Sequence, residues 1–248
     1  MKNYCPIPWL KTDRLSLREF SIDDRYSLVR MHQETRVRSL LIDDHPLDRH
    51  SVSHEFILRM QTLYRQHEGL GIWCAERMVK ALDESELDKL EVKEFFSDAA
   101  LQKLSKPHSQ FIGWFNLMPM PERQDQIELG SRLLPKVWGA GLALEGGELL
   151  LDYAFDTLGL KRVWAVCHMG HRSARYCINA LGFEYCGVMR YGTNPAHHYV
   201  ISERRWRQWQ CLSRKKRMRR AVAACGALEK LNNKSPDFCV KTQTNTVE

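Results

Sequence analysis

The chain reads as an α+β protein built on one mixed sheet, and three observations predict it. An apolar strand-like run, Ile127 to Leu134, feeds a turn that holds Gly139 and Gly141. An apolar-periodic helix, Leu142 to Leu158, follows directly. Shorter strand and helix patterns flank this unit in the order β-α-α-β-β-β-α-β-α-β-β, a mixed α/β arrangement rather than a regular βαβ array.

Taken from the start, Thr12 to Phe20 alternates apolar and polar residues after Arg14, the period of a half-buried strand. Ser21-Ile22-Asp23-Asp24 opens a helix, with a small capping residue and acids in the first turn. Leu28, Val29 and Met31 lie on that helix, and a second one spans Val52 to Gln66 with Phe56, Ile57, Met60 and Leu63 as its apolar stripe. Gly71–Glu76 and Phe111–Leu117 read as strands. A hairpin joins such strands with a few residues, yet some thirty intervene. Within them Asp83 to Asp98 carries seven acids and two lysines, and residues 80–109 are expected to form an acidic helical insertion on the surface. After the long helix, Gly159 suits a left-handed C′ position. Arg162–Cys167 is a strand, Ser173 to Ala180 a short helix, and Glu184–Met189 and His198–Ser202 are closing strands. The core signature fades from about Arg204, so a domain over 1–206 and a basic extension over 207–248 are expected, the latter disordered from about Asn232.

Composition narrows the class. The 248 residues are 44% hydrophobic and 27% charged, ordinary for a globular protein. No run of eighteen apolar residues marks a transmembrane helix. The first residues lack the apolar segment of a signal peptide, and a cytoplasmic location is expected. The eight cysteines include no Cys-x-x-Cys, which points to reduced thiols and no zinc site. His50 and His54 have a metal-compatible i,i+4 spacing but suit surface histidines better. Residues 204–220 hold nine of the 37 Lys and Arg and no acid; without them 28 bases face 30 acids, so the net charge of +7 belongs to this segment.

Strand, glycine turn and helix together present backbone N–H groups to a phosphate. First-turn amides lack intrahelical partners and sit at the positive end of the helix dipole. Glycines at 139 and 141 remove the Cβ atoms that would block approach. No Gly-Lys-Ser/Thr follows, so this is not a P-loop, and Leu144 stands where a dinucleotide fingerprint needs glycine. A nucleotide-bearing cofactor is the expected ligand, with an ordinary strand-to-helix turn that binds no phosphate as the alternative.

The strand Thr12-Asp13-Arg14-Leu15-Ser16-Leu17-Arg18, the loop Trp138-Gly139-Ala140-Gly141-Leu142-Ala143 and Ala180-Leu181-Gly182-Phe183 occur in this order. Together they resemble the GCN5-related N-acetyltransferases (GNAT), in particular the branch that acetylates ribosomal-protein N-termini. The resemblance covers roughly residues 10–206. It implies a central mixed, mostly antiparallel sheet flanked by helices, and acetyl-CoA as cosubstrate with no metal. Lys136 to Gly141 fits the family's Arg/Gln-x-x-Gly-x-Gly/Ala loop, with Lys in place of Arg or Gln. By resemblance, amides of Val137, Trp138, Gly139, Ala140, Gly141, Leu142 and Ala143 hold the pyrophosphate, and the pantetheine arm bonds to backbone near Leu133. Glu128 stands where many relatives carry a glutamate that acts as base or orders water; a carboxylate on the polar face of the sheet is the alternative. Counting back eleven residues from Gly182 puts His171 at a position where this branch often has a cofactor-contacting Asn. Ala174 replaces the usual Ser, and Ile178 replaces a leaving-group Tyr, with Tyr176 on another face. No leaving-group acid carries over.

Trp73, Trp114 and Trp138 are expected to line the acceptor groove or to pack in the core, and Arg36, Arg38, Asp43 and Asp44 lie where relatives shape acceptor choice. The acceptor is then an amine: a ribosomal or other protein N-terminus, or a small amine such as a polyamine or aminoglycoside. Residues 204–220 could contact RNA or the ribosome, phosphates through the cations and bases through Trp206 and Trp209; a solvated helix with both tryptophans packed inward is the alternative. A GNAT-fold binding protein that delivers this basic tail to RNA is a further alternative to an enzyme.

Overall fold

The computed structural model describes residues 7–42, 46–67, 69–81, 97, 105–121 and 123–234. Most of the acidic 80–109 segment, Asp43, Asp44 and the stretch from 235 onward lie outside them. Among the described residues, eight strands form one mixed, mostly antiparallel sheet in the order β1-β2-β3-β4-β5-β6-β8-β7. They are β1 (Leu10–Lys11), β2 (Leu15–Arg18), β3 (Gly71–Val79), β4 (His108–Met120), β5 (Arg123–Leu133), β6 (Arg162–His168), β7 (Glu184–Tyr191) and β8 (Asn194–Ser202). The chain divides into two compact units, one of residues 1–37, 46–116 and 131–149, the other of residues 38–45, 117–130 and 150–248.

In the first unit β2 pairs antiparallel with β3, Leu17 opposite Ala75. Its helices are α1 (Arg25–Gln33), the short α2 (Thr35–Arg38), which the sequence pattern did not suggest, and α3 (His50–Gln66). Their apolar stripes meet in a core of Phe20, Leu28, Met31, Val37, Leu47, Ile57, Cys74 and Trp114. Trp114 is held face-on by Phe56 and His32 and edge-on by Phe20. Trp73 is fully buried and donates from Nε1 to the Pro8 carbonyl. Two of the three groove candidates are therefore core residues.

The expected helix start at Ser21 is the seat of a buried charge network. Asp24 Oδ2 accepts from the Ser21 amide at 2.7 Å, and Arg18 grips both Asp24 oxygens at 2.8 and 2.9 Å while reaching Glu76 at 2.7 Å. Burial pushes the Asp24 carboxyl up, but the bonds from Arg18 and Ser21 outweigh it and leave it below the ordinary carboxylate value. A carboxyl lowered in the fold stabilises above its unfolded value, about 4, and loses that contribution as pH falls through the lowered value. Asp24→Asn is expected to cost about 1.5–3 kcal/mol at pH 7, with the gap to the parent narrowing below about pH 4. Urea midpoints at pH 7 and pH 3 measure both; a gap independent of pH would contradict the assignment.

Helix α4 (Leu142–Asp152) follows β5, and its last turns widen into a π-helix, Tyr153–Thr157. Gly159, at φ 64°, ends it as the sequence indicated.

In the second unit β5 and β6 run parallel, paired at Glu128 and Trp164. β6 pairs antiparallel with β8 along its whole length, from Arg162 opposite Ser202 to His168 opposite Ala196. β7 takes the edge beyond β8, with a bulge at Tyr185/Gly187. Helix α5 (Arg172–Ala180) precedes β7, and α6 (Glu203–Gln210) and α7 (Arg214–Lys234) follow β8. Here the structure departs from the sequence reading, because the core signature continues past Arg204. Trp206 and Trp209 are 1% and 4% exposed. Trp206 donates to Asp152 Oδ1 at 2.8 Å, and Trp209 donates to the Ala180 carbonyl at 2.8 Å, its ring filling the space a Cβ on Gly182 would need. High charge density on one helix face hid two apolar anchors on the other. The helix also runs through Asn232 to Lys234, where disorder was expected.

Candidate active site

The glycine loop is built by hydrogen bonds that use some amides and leave others. Leu134 N–H donates to the Ile112 carbonyl at 2.8 Å, which ends the β4–β5 pairing. Pro135–Val137 forms one 3₁₀ turn. The Val137, Trp138 and Ala140 amides donate to the carbonyls of Leu134, Pro135 and Val137. Gly139 and Gly141 both take φ 79°, the left-handed conformation that a Cβ disfavours. The bond that closes the loop onto α4 runs from Glu145 N–H to the Gly141 carbonyl at 3.1 Å. Among the described residues, the amides of Gly139, Gly141, Leu142 and Ala143 have no backbone acceptor. Of the seven amides expected on the pyrophosphate, these four are the open ones.

Burial holds the loop in place. Val137 and Leu142 are 2% and 1% exposed, whereas Lys136, Trp138 and Ala140 face outward. Arg14 clamps the first turn of α4 by an ion pair with Glu145 and by a 3.1 Å bond from Nη1 to the Ala140 carbonyl. Thr12 bonds the other Glu145 oxygen. Burial, then the nearby Arg77 and Arg30, lower the Lys136 ammonium pKa. Trp138 is exposed, with Arg36 stacked 4.9 Å from its ring and its Nε1 donating to the Leu133 carbonyl at 2.8 Å. The backbone carbonyl expected near pantetheine thus carries an indole bond in this conformation.

On the second unit Glu128 is half-buried in β5, and Oε2 accepts from the Tyr191 hydroxyl at 3.1 Å. Tyr191 ends β7, 63 residues away in sequence, and no local pattern singles it out. His171 caps α5: Nδ1 accepts from the Ala174 amide at 3.3 Å and lies 3.2 Å from Ser173 Oγ. Burial, with His168 beside it, lowers its pKa, so the ring stays neutral as a cap requires. Ile178 is buried, and the Tyr176 hydroxyl donates to Met218 Sδ at 2.9 Å. Neither position offers a free acid. Among the described residues no three His, Cys, Asp or Glu cluster as metal ligands, and no helix is long and apolar enough to cross a membrane.

A family model described as the acetyltransferase (GNAT) domain matches residues 14–184. The chain belongs to this family. Its fold and family are those of acetyl-CoA-dependent acetyltransferases. Among curated relatives, it is 30% identical over 116 residues to an Aspergillus fumigatus protein named FsC-acetyl coenzyme A-N(2)-transacetylase; the match covers 41% of this chain and 49% of that protein, so the chain spans about half the length of that relative. It is 24% identical over 186 residues to the uncharacterized N-acetyltransferase YoaA of Bacillus subtilis, covering 74% of this chain and 86% of the other. Among solved structures, the microcin C7 self-immunity acetyltransferase MccE, in complex with acetyl-CoA and AMP, superposes with a TM-score of 0.55 at 13% identity over 77% of this chain and 93% of that one. The family holds as the sequence indicated. The ribosomal-protein branch is not singled out among these relatives.

Proposed function

We propose that this GNAT member transfers acetyl from acetyl-CoA to a primary amine by direct attack, with a protein or peptide N-terminus as acceptor. The loop carries the cosubstrate part of this reading, because four amides without a backbone acceptor at a helix start suit a pyrophosphate. The amine nitrogen attacks the thioester carbonyl, the C–N bond forms, and collapse of the tetrahedral adduct breaks the C–S bond. Glu128 takes the proton that the ammonium must lose before its nitrogen can attack, directly or through water. The Tyr191 hydroxyl donates to Glu128 Oε2 at 3.1 Å and helps to orient the carboxylate. The sulfur leaves as the CoA thiolate, with no dedicated acid from α5, and takes its proton from solvent. His171, with Nδ1 engaged as a cap, has only Nε2 to offer the cofactor.

A small-amine acceptor is the second reading. It is supported by the Aspergillus relative, whose name specifies an N(2) position. Thiol release from acetyl-CoA over a panel of peptides with free or blocked N-termini, polyamines and aminoglycosides separates the two. Turnover confined to free-N-terminus peptides is expected; turnover confined to small amines overturns the N-terminal assignment. Acetyl-CoA at 100 times its Kd is expected to add about 2.7 kcal/mol of stability, and no rise in melting temperature would remove the cosubstrate.

We also place the enzyme in the cytoplasm, consistent with the free thiols of the described cysteines. RNA or ribosome contact would use the exposed Arg204, Arg214, Lys215, Lys216 and Arg219, whose cations can neutralise phosphates. Trp206 and Trp209 are buried and cannot stack on bases. Ribosome co-sedimentation unchanged by glutamine at these five positions would remove the contact.

A further inference from the structure

Beside helix α5, the second unit holds a group of buried polar side chains that the proposed reaction does not use. Strand register places most of them on one face of the sheet. Cys167 on β6 is opposite His197 on β8, and Tyr199, two residues on, is opposite Tyr185 on β7. The Tyr185 ring lies 5.2 Å from the Tyr199 ring and 5.5 Å from that of His197. Arg175 of α5 belongs to the same group, because its charge acts on Cys167, Tyr185, His197 and Tyr199. Tyr185 is 39% exposed, so solvent reaches the edge of the group.

Two of these side chains are buried donors without an acceptor. Arg175 is 5% exposed and its Nε has no hydrogen-bond partner; Tyr199 is fully buried and its hydroxyl has none either. A polar group buried unpaired is costly, and a charged one more so. His197 joins them less directly: Nδ1 lies 3.2 Å from the Tyr185 hydroxyl, and Nε2 has no hydrogen-bond partner, although the Met169 carbonyl is near the ring. The Arg175 charge is only loosely met. Its Nη2 is 3.6 Å from Glu229 Oε1, while Arg172 engages both oxygens of that carboxylate at 3.0 and 3.4 Å. The neighbouring thiols supply no anion, since burial pushes Cys167 up to about 12 and raises Cys225 as well.

We propose that Arg175 Nε and the Tyr199 hydroxyl hold one small monovalent anion of chloride size between α5 and β8. A halide accepts from both donors and offsets the guanidinium that Glu229 meets poorly. A water in its place would bring two more donors to a group that already lacks acceptors. The ion ties α5 to the sheet and so contributes to stability.

The experiment uses the full chain, freed of halide and kept at one sodium concentration while gluconate is exchanged for chloride or bromide. The melting temperature is expected to rise saturably with either halide. Tyr199→Phe keeps the ring and is expected to raise the half-saturating chloride concentration by about 10-fold or more, the size of one hydrogen bond to an ion. Arg175→Met is expected to abolish the saturable rise. Should that variant fail to fold, Tyr199→Phe and a bromide-soaked crystal still decide, with the anomalous bromide signal expected within hydrogen-bond distance of Arg175 Nε and the Tyr199 oxygen. Equal melting temperatures in chloride and gluconate overturn the proposal and leave water as the acceptor. A chloride response unchanged in Tyr199→Phe, or bromide found at surface sites only, overturns it as a general salt effect.

Discussion

Glu128→Gln is expected to lower kcat/KM for a good amine acceptor by about 10²–10⁴-fold, the usual yield of a positioned general base. Gln keeps the shape and can still accept from the Tyr191 hydroxyl, so the melting temperature should barely move. The diagnostic readout is the pH profile of kcat/KM. With Glu128 as base, the parent needs the carboxylate ionised, and its acid limb includes that group. The Gln variant should lose this component and keep the limb set by the amine's own deprotonation. Tyr191→Phe is the companion: it removes the hydroxyl bond to Oε2, and a fall in kcat/KM without a matching fall in melting temperature is expected if that bond positions the carboxylate. A Gln variant with the parent's rate and profile would reduce Glu128 to a polar-face carboxylate.

Gly113→Ala is expected to be among the most damaging single substitutions in the chain. Gly113 sits in β4 at φ 134°, and a Cβ there would lie 2.0 Å from the Arg132 carbonyl oxygen and 2.9 Å from the Leu133 Cα. These are backbone atoms, so no rotamer change relieves the clash. Left-handed strain and overpacking together give an expected loss of about 3–5 kcal/mol. The same segment positions the loop, since Leu134 N–H bonds the carbonyl of Ile112, next to Gly113. Urea denaturation should therefore show a lowered midpoint, and acetyl-CoA should stabilise the variant less than the parent. Gly192→Ala is the control: it also has positive φ, but nothing lies within 4 Å of its added Cβ, and about 1 kcal/mol is expected there. A Gly113→Ala loss no larger than the control's would contradict the steric account.

Much of the fold was readable because it is written in local periods. The β2 alternation, the amphipathic α3, the glycine turn before α4 and Gly159 at the end of the helix each depend on residues a few positions apart, where spacing alone decides which face is buried. The glycines announced the loop for the same reason, since a left-handed backbone is a property of single residues. Segment lengths were less legible. β4 and β5 extend to a tight turn near Pro121, and β8 starts at Asn194 rather than near His198, because strand ends are set by the neighbour that pairs with them.

The family and the glycine loop followed from short, ordered patterns. Which amides stay open followed from the tertiary structure, as did Tyr191 on Glu128 and the burial of Trp73 and Trp114 against the exposure of Trp138. Each depends on groups brought together from distant parts of the chain, whose hydrogen bonds and desolvation are set by distance in space. The basic C-terminal segment shows the difference most plainly. Its charge was evident from composition, yet whether Trp206 and Trp209 face solvent or core depended on Asp152 and Ala180, which only the folded chain brings to them.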